Sequence, residues 1–159
     1  MAEQREQQAV FAWINAHIQD YPELVTAYHI PNEGKRSRVG GANQVRQGLR
    51  RGMPDICLPA ARMGWNSLYI ELKAGRNTTT KDQEGMIMRL RQYKNLALVA
   101  REAAEACDLI MEYLQETMDV DAQLKKPINT VVHREDYYIG FCGEDCRKCK
   151  NRNCLGRKS

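Results

Sequence analysis

"GMPDICLPAARMGWNSLYIELKAG", residues 52–75, decides the fold. Two short apolar stretches, 54–58 and 67–73, flank the Gly-containing loop "PAARMGWN", the pattern of a β-hairpin. In the second stretch Leu68, Ile70 and Leu72 alternate with Tyr69, Glu71 and Lys73. Side chains of a strand alternate between the two sheet faces, so the aliphatic triplet goes to a core and Glu71 and Lys73 go together to the other face. In the first stretch Ile56 and Leu58 alternate with Asp55 and Cys57, and a hairpin register that aligns them puts Asp55 on the face of Glu71.

Two carboxylates and an ammonium then converge. Unpaired carboxylates crowded on a sheet repel and raise each other's pKa, and a hard divalent cation relieves the repulsion. Asp55, Glu71 and the backbone carbonyl of Leu72 are oxygen donors of the kind Mg²⁺ or Mn²⁺ takes, with water completing the shell. Lys73 beside such a site can orient the attacking water, ease its deprotonation or stabilise negative charge developing on a phosphate. The chemistry is phosphodiester hydrolysis.

Working outward, residues 4–19 place Val10, Phe11, Ile14 and Ile18 at helical spacing, with Tyr21-Pro22 as the stop. Residues 25–31, "VTAYHIP", predict a short strand ending at Pro31, followed by a Gly- and Arg-rich stretch over 32–52. Residues 80–94 predict a helix with Thr80 as N-cap, 96–100 a strand and 102–116 a helix. The order is αβββαβα. The expected fold is α/β, a mixed central sheet flanked by helices, with residues 1–117 as one domain and 118–159 as a linker and Cys-rich tail. A hairpin arm is expected within 130–140.

Composition narrows the function classes. A chain of 159 residues with 43% hydrophobic and 28% charged residues is globular, and no apolar run approaches the roughly 20 residues of a membrane span. The opening "MAEQREQQAV" lacks the pattern of a secretory signal, so the expectation is cytoplasmic. The net charge is only +4, but seven Lys or Arg between Gly34 and Arg62 stand against one acid, Asp55. A basic segment around a single carboxylate resembles a phosphate-binding surface beside a metal ligand, with a plain solvated loop as the alternative; Lys35, Arg36, Arg38, Arg46, Arg50 and Arg51 are the DNA-binding candidates.

"PD" followed after a hairpin by "ELK" resembles the PD-(D/E)XK nuclease superfamily. In the same order, "IPNEG", "GLRRGMPDICLP", "LYIELKAG" and "TTTKDQ" are similar to the VRR-NUC family, especially the stand-alone forms common in bacteriophages. The match covers roughly residues 3–117. The resemblance implies a restriction-endonuclease-like αβββαβ core, with Asp55, Glu71 and Lys73 as the metal-binding and catalytic residues. It also implies an acidic residue on the first helix. Glu6 fits, one turn before Val10, with Glu3 as the fallback and a plain solvent-facing role for Glu6 as the alternative. Gln83 points with the apolar face of its helix toward the sheet, and matches the glutamine the family keeps after its lysine strand. It can partner the site or cap the helix.

Asn32, Glu33 and Gly34 match the family's "NEG" block, Glu33 being either a further site carboxylate or a partner for Arg36. His29 reads as a satisfied structural histidine, and Trp65 can stack on a base or pack over the hairpin. The resemblance further implies a homodimer acting on branched DNA such as Holliday junctions. For a phage-encoded chain the compartment is the host cytoplasm. Two alternatives stand beside this reading: a non-catalytic nucleic-acid-binding module, and a sequence-specific restriction-type endonuclease.

The tail lies outside the resemblance. "CGEDCRKCKNRNC" sets Cys142, Cys146, Cys149 and Cys154 at C-x3-C-x2-C-x4-C, interspersed with Arg147, Lys148, Lys150 and Arg152. Four thiols at this spacing suit a structural Zn²⁺, and nearby positive charge favours the thiolates. An iron–sulfur cluster is the alternative, and disulfides are disfavoured by the expected compartment.

Overall fold

The hairpin forms as an antiparallel pair, β2 (Ile56–Leu58) with β3 (Leu68–Lys73), joined by a loop closed through the Arg62–Trp65 bridge. The computed structural model describes residues 2–31 and 45–128. In chain order these form α1 (Ala2–His17), a 3₁₀ turn (Pro22–Thr26), β1 (Tyr28–His29), β2, β3, α2 (Lys81–Gln92), β4 (Leu96–Arg101), α3 (Glu102–Leu114) and α4 (Val120–Lys125). The sheet order is β1-β2-β3-β4, antiparallel across the first two pairs and parallel across β3 and β4. Helix α2 supplies the crossover that a parallel pair needs.

One face of the sheet makes the main core. Leu68, Ile70 and Leu72 of β3 lie beside Leu96, Leu98 and Ala100 of β4, and Ile56 and Leu58 of β2 complete the surface. Val10 and Ile14 of α1 and Ala106, Leu109, Ile110, Tyr113 and Leu114 of α3 pack on it. Each fully buried aliphatic contributes about 1.5–3 kcal/mol, and this face holds most of them. Buried Tyr113 donates its hydroxyl proton to the Ala60 carbonyl at 2.7 Å, which ties α3 to the hairpin loop. Helix α2 packs against β4, its buried Ile87 facing the sheet. Among the described residues no helix is long and apolar enough to cross a membrane.

Two segments differ from the sequence expectation. The strand expected over 25–31 shrinks to Tyr28–His29, because Pro22 sits in the first turn of a 3₁₀ helix that runs through Val25 and leaves it 68% exposed. Past residue 117 the fold continues: Met118 is buried in the core cluster, Val120 and Leu124 pack against it, and Asp119 caps α4 through Ala122 N–H at 2.9 Å.

Candidate active site

The hairpin register decides which side chains meet. Ile56 pairs with Ile70 and Cys57 with Tyr69, so continuing one step sets Asp55 opposite Glu71 on the face away from the main core. Asp55 follows Pro54 immediately ahead of β2, and its Oδ2 accepts the Leu72 N–H at 2.8 Å. A strand residue's N–H and C=O point to the same side, so the Leu72 carbonyl also faces the Asp55 side, past the end of β2.

Glu71 is the least expected side chain of the sheet, a carboxylate 1% exposed. Its Oε1 accepts from Lys73 Nζ at 2.8 Å and from Gln83 Nε2. Its Oε2 has no hydrogen-bond partner among the described residues, and it is the buried side-chain polar atom so orphaned there. Burial, then the negative charge of Asp55, push the Glu71 carboxyl up from its ordinary 4.5 to about 7, against the opposing pull of Lys73. Burial likewise raises Asp55, opposed by the Leu72 N–H and by Lys73. A half-buried and a buried carboxylate that both resist ionising, the buried one with an unsatisfied oxygen among the described residues, form a place for positive charge.

Lys73 is almost as buried, and its ammonium is compensated by Glu71 and by Glu3 of α1, whose Oε1 stands 4.0 Å away. Asn77 Nδ2 donates to the same Glu3 oxygen at 3.0 Å. Glu6 goes elsewhere: its Oε2 accepts the Ala103 N–H at 2.7 Å, satisfying one of the orphan donors at the start of α3. The α1 acid that the structure brings to Lys73 is therefore Glu3, one turn nearer the helix start. Gln83 does both things the sequence left open. Its Oε1 accepts the Thr80 N–H at 2.8 Å and its N–H donates to Thr80 Oγ1 at 3.3 Å, a capping box, while Nε2 reaches Glu71.

The donor set suits a hard cation. The Asp55 carboxylate, the free Oε2 of Glu71 and the Leu72 carbonyl offer three oxygens, and among the described residues no third His, Cys, Asp or Glu closes a complete protein cage. Mg²⁺ is commonly held this way, by one or two carboxylates with the remaining positions left to water and substrate.

Arg46, Arg50 and Arg51 are exposed on the segment leading into Asp55. Gly52 fixes that segment's path: with φ +75 it lies so close to α2 that a Cβ would stand 2.2 Å from the Asp82 carbonyl oxygen. His29 Nδ1 lies 3.0 Å from the Asp55 carbonyl oxygen, a main-chain partner in keeping with a structural histidine. Trp65 packs against the core, with Lys94 Nζ 5.8 Å from its ring centroid. Asn32, Glu33, Gly34, Lys35, Arg36 and Arg38, the expected arm within 130–140, and Cys142, Cys146, Cys149 and Cys154 lie outside the described residues.

A mixed sheet whose central hairpin carries an Asp, a Glu and a Lys on one face, next to a glutamine-bearing helix, defines the class of site. In fold this chain is similar to a solved VRR_NUC domain protein, with a TM-score of 0.61 and 24% sequence identity. The similarity covers 72% of this chain and 89% of that one. No family model matches the sequence, and no curated protein matches it.

Proposed function

We propose that this protein is a Mg²⁺- or Mn²⁺-dependent endodeoxyribonuclease of the VRR-NUC type. The observation that carries the reading is the unpartnered, buried Glu71 Oε2, opposite Asp55 and beside the Lys73 ion pair, on the fold of a VRR_NUC domain protein. Asp55, Glu71 and the Leu72 carbonyl hold the cation. When bound, it polarises the scissile phosphate and acidifies water. Glu3 completes the acidic edge and takes the place expected of Glu6.

The residues divide the work. Gln83 holds Glu71 Oε1 so that Oε2 stays free, and Lys73 places a positive charge where the phosphate gains negative charge. A water oxygen bonds to phosphorus and one P–O ester bond breaks. The water's proton ends on the departing oxygen, leaving one hydroxyl and one phosphate terminus.

The substrate class we propose is branched DNA, such as a four-way junction, bound by a homodimer. The basic segment that includes Arg46, Arg50 and Arg51 supplies phosphate contacts without base readout, which favours selection by shape. The cysteine tail is proposed to hold Zn²⁺ through Cys142, Cys146, Cys149 and Cys154. Ile128, the last described residue, accepts a hydrogen bond from Thr79 Oγ1 at 3.0 Å, one residue before the cap of the helix that bears Gln83.

The test compares purified wild type and Lys73→Ala on a four-way junction and a linear duplex of matched length and salt. The reading expects faster junction cleavage by wild type and loss of cutting, with binding kept, in the variant. Equal rates on junction and duplex overturn the branched-DNA part, and an unimpaired variant overturns the site.

A further inference from the structure

The parallel register of β3 and β4 sets Arg101 beside Lys73, on the same sheet face and at the same end. Adjacent strands lie about 4.8 Å apart, so the two residues are neighbours across the ladder. Their surroundings differ. Lys73 is buried and neutralised by Glu71 and Glu3, whereas Arg101 is exposed and, among the described residues, has no carboxylate within ion-pair distance of its guanidinium.

Arg101 is nonetheless held in place. Its Nη1 donates to the Gly75 and Asn77 carbonyls at 3.4 and 3.3 Å, in the loop that follows Lys73 directly. Asn77 in turn holds Glu3, which faces Lys73. The main-chain N–H of Arg101 donates to Glu105 Oε2 at 2.7 Å, fixing the end of β4 where α3 begins. Nε and Nη2 keep no protein acceptor among the described residues. They form the outward edge of a planar fork whose geometry matches two phosphate oxygens.

We infer that Arg101 is a positioning residue that grips a DNA backbone phosphate next to the scissile one, on the β4 side of the site. The inference rests on the nuclease reading. A scissile phosphate over Asp55 and Glu71 leaves the strand running past Lys73 on one side, where Arg101 is an uncompensated cation held in place by the 75–77 loop. Arg50 and Arg51, exposed just ahead of Gly52 where it passes against α2, are further cations on the segment leading into Asp55.

The experiment measures cleavage kinetics and the salt dependence of DNA affinity, the latter in Ca²⁺, for wild type, Arg101→Ala and Arg101→Lys. The expected result for Arg101→Ala is a roughly tenfold rise in KM with kcat little changed. The slope of log affinity against log salt should shrink by about 0.9 for a duplex contact or 0.7 for a single-stranded one. Arg101→Lys should recover the slope by restoring the charge. A role confined to pinning the 75–77 loop would lower the melting temperature and kcat and leave the slope untouched, and that outcome overturns the inference, as does an Arg101→Ala protein identical to wild type. A wild type that neither binds nor cuts DNA overturns the nuclease reading together with this one, and is told apart by failing before any variant is compared.

Discussion

Glu71 puts a carboxylate where a sheet would otherwise bury an aliphatic side chain, and its oxygens are treated unequally. Oε1 is bound twice and Oε2, among the described residues, not at all. The folded protein therefore holds the Glu71 proton more tightly than the unfolded chain, up to about pH 7 against an ordinary 4.5. Stability from this group is whole below 4.5 and is lost as pH rises through 7. Thermal melts of metal-free protein should show this group's contribution falling between those pH values, and saturating Mg²⁺ at pH 8 should restore it, because the cation binds the ionised form. Glu71→Gln keeps an acceptor for Lys73 and Gln83 but removes the carboxylate that would hold the cation, so it should lose both cleavage and the rise in melting temperature that Mg²⁺ gives wild type at pH 8. A Gln variant that Mg²⁺ still stabilises as it does wild type contradicts the arrangement. For Lys73→Ala the expected loss in kcat is about 10²–10³-fold, the scale of removing one stabilising donor from a reacting centre.

The three residues Asp55, Glu71 and Lys73 were legible because period-two alternation is a local property of the chain. Which α1 acid reaches them was not, since Glu3 and Glu6 share a face and differ by one turn. The choice depends on how α1 lies against β3 and α3, where the Ala103 N–H takes Glu6. The place of Arg101 also has a signal in the sequence: "LYIELK" and "LALVAR" are six-residue strands ending in a cation, and a parallel register aligns their last residues.

At the scale of elements, the start of α2 is a junction. Thr80 and Gln83 cap it, Gln83 reaches β3, and Gly52 lets the segment before Asp55 pass against Asp82. Gly52→Ala adds a Cβ at φ +75 and 2.2 Å from a main-chain oxygen. It should cost about 2 kcal/mol or more in chemical denaturation, and should impair cleavage because Asp55 shifts with the segment. Tyr113→Phe leaves the Ala60 carbonyl without its donor, an expected loss of about 1–3 kcal/mol with cleavage retained, since α3 packs on the face opposite the site. Hairpin, capped helix and crossover strand were legible from turn chemistry and periodicity. The 3₁₀ turn was not, because "PELVTAYH" carries β-branched residues that favour a strand, and Pro22 at the start of the turn outweighs them.

On the scale of the whole molecule, the sheet separates two tasks. One face carries the aliphatic core that α1 and α3 cover; the other carries Asp55, Glu71 and Lys73 at one end of the strands, with Arg101 on the neighbouring strand. Residues 118–128 join this body through Met118, Val120 and Leu124, which a helix as short as α4 made hard to see in the sequence. For the tail, metal analysis of purified protein should find about one Zn²⁺ per chain, lost in Cys149→Ala; the tetrahedral four-thiolate reading of its spacing requires it. The most direct test of the account is cleavage of end-labelled four-way junction, duplex and single strand by wild type and Asp55→Asn, each with Mg²⁺ or with EDTA. The account predicts cutting by wild type with Mg²⁺ alone, the junction fastest, and none by the variant. Cutting that persists in EDTA or in Asp55→Asn, or no cutting of any substrate by wild type, would contradict it.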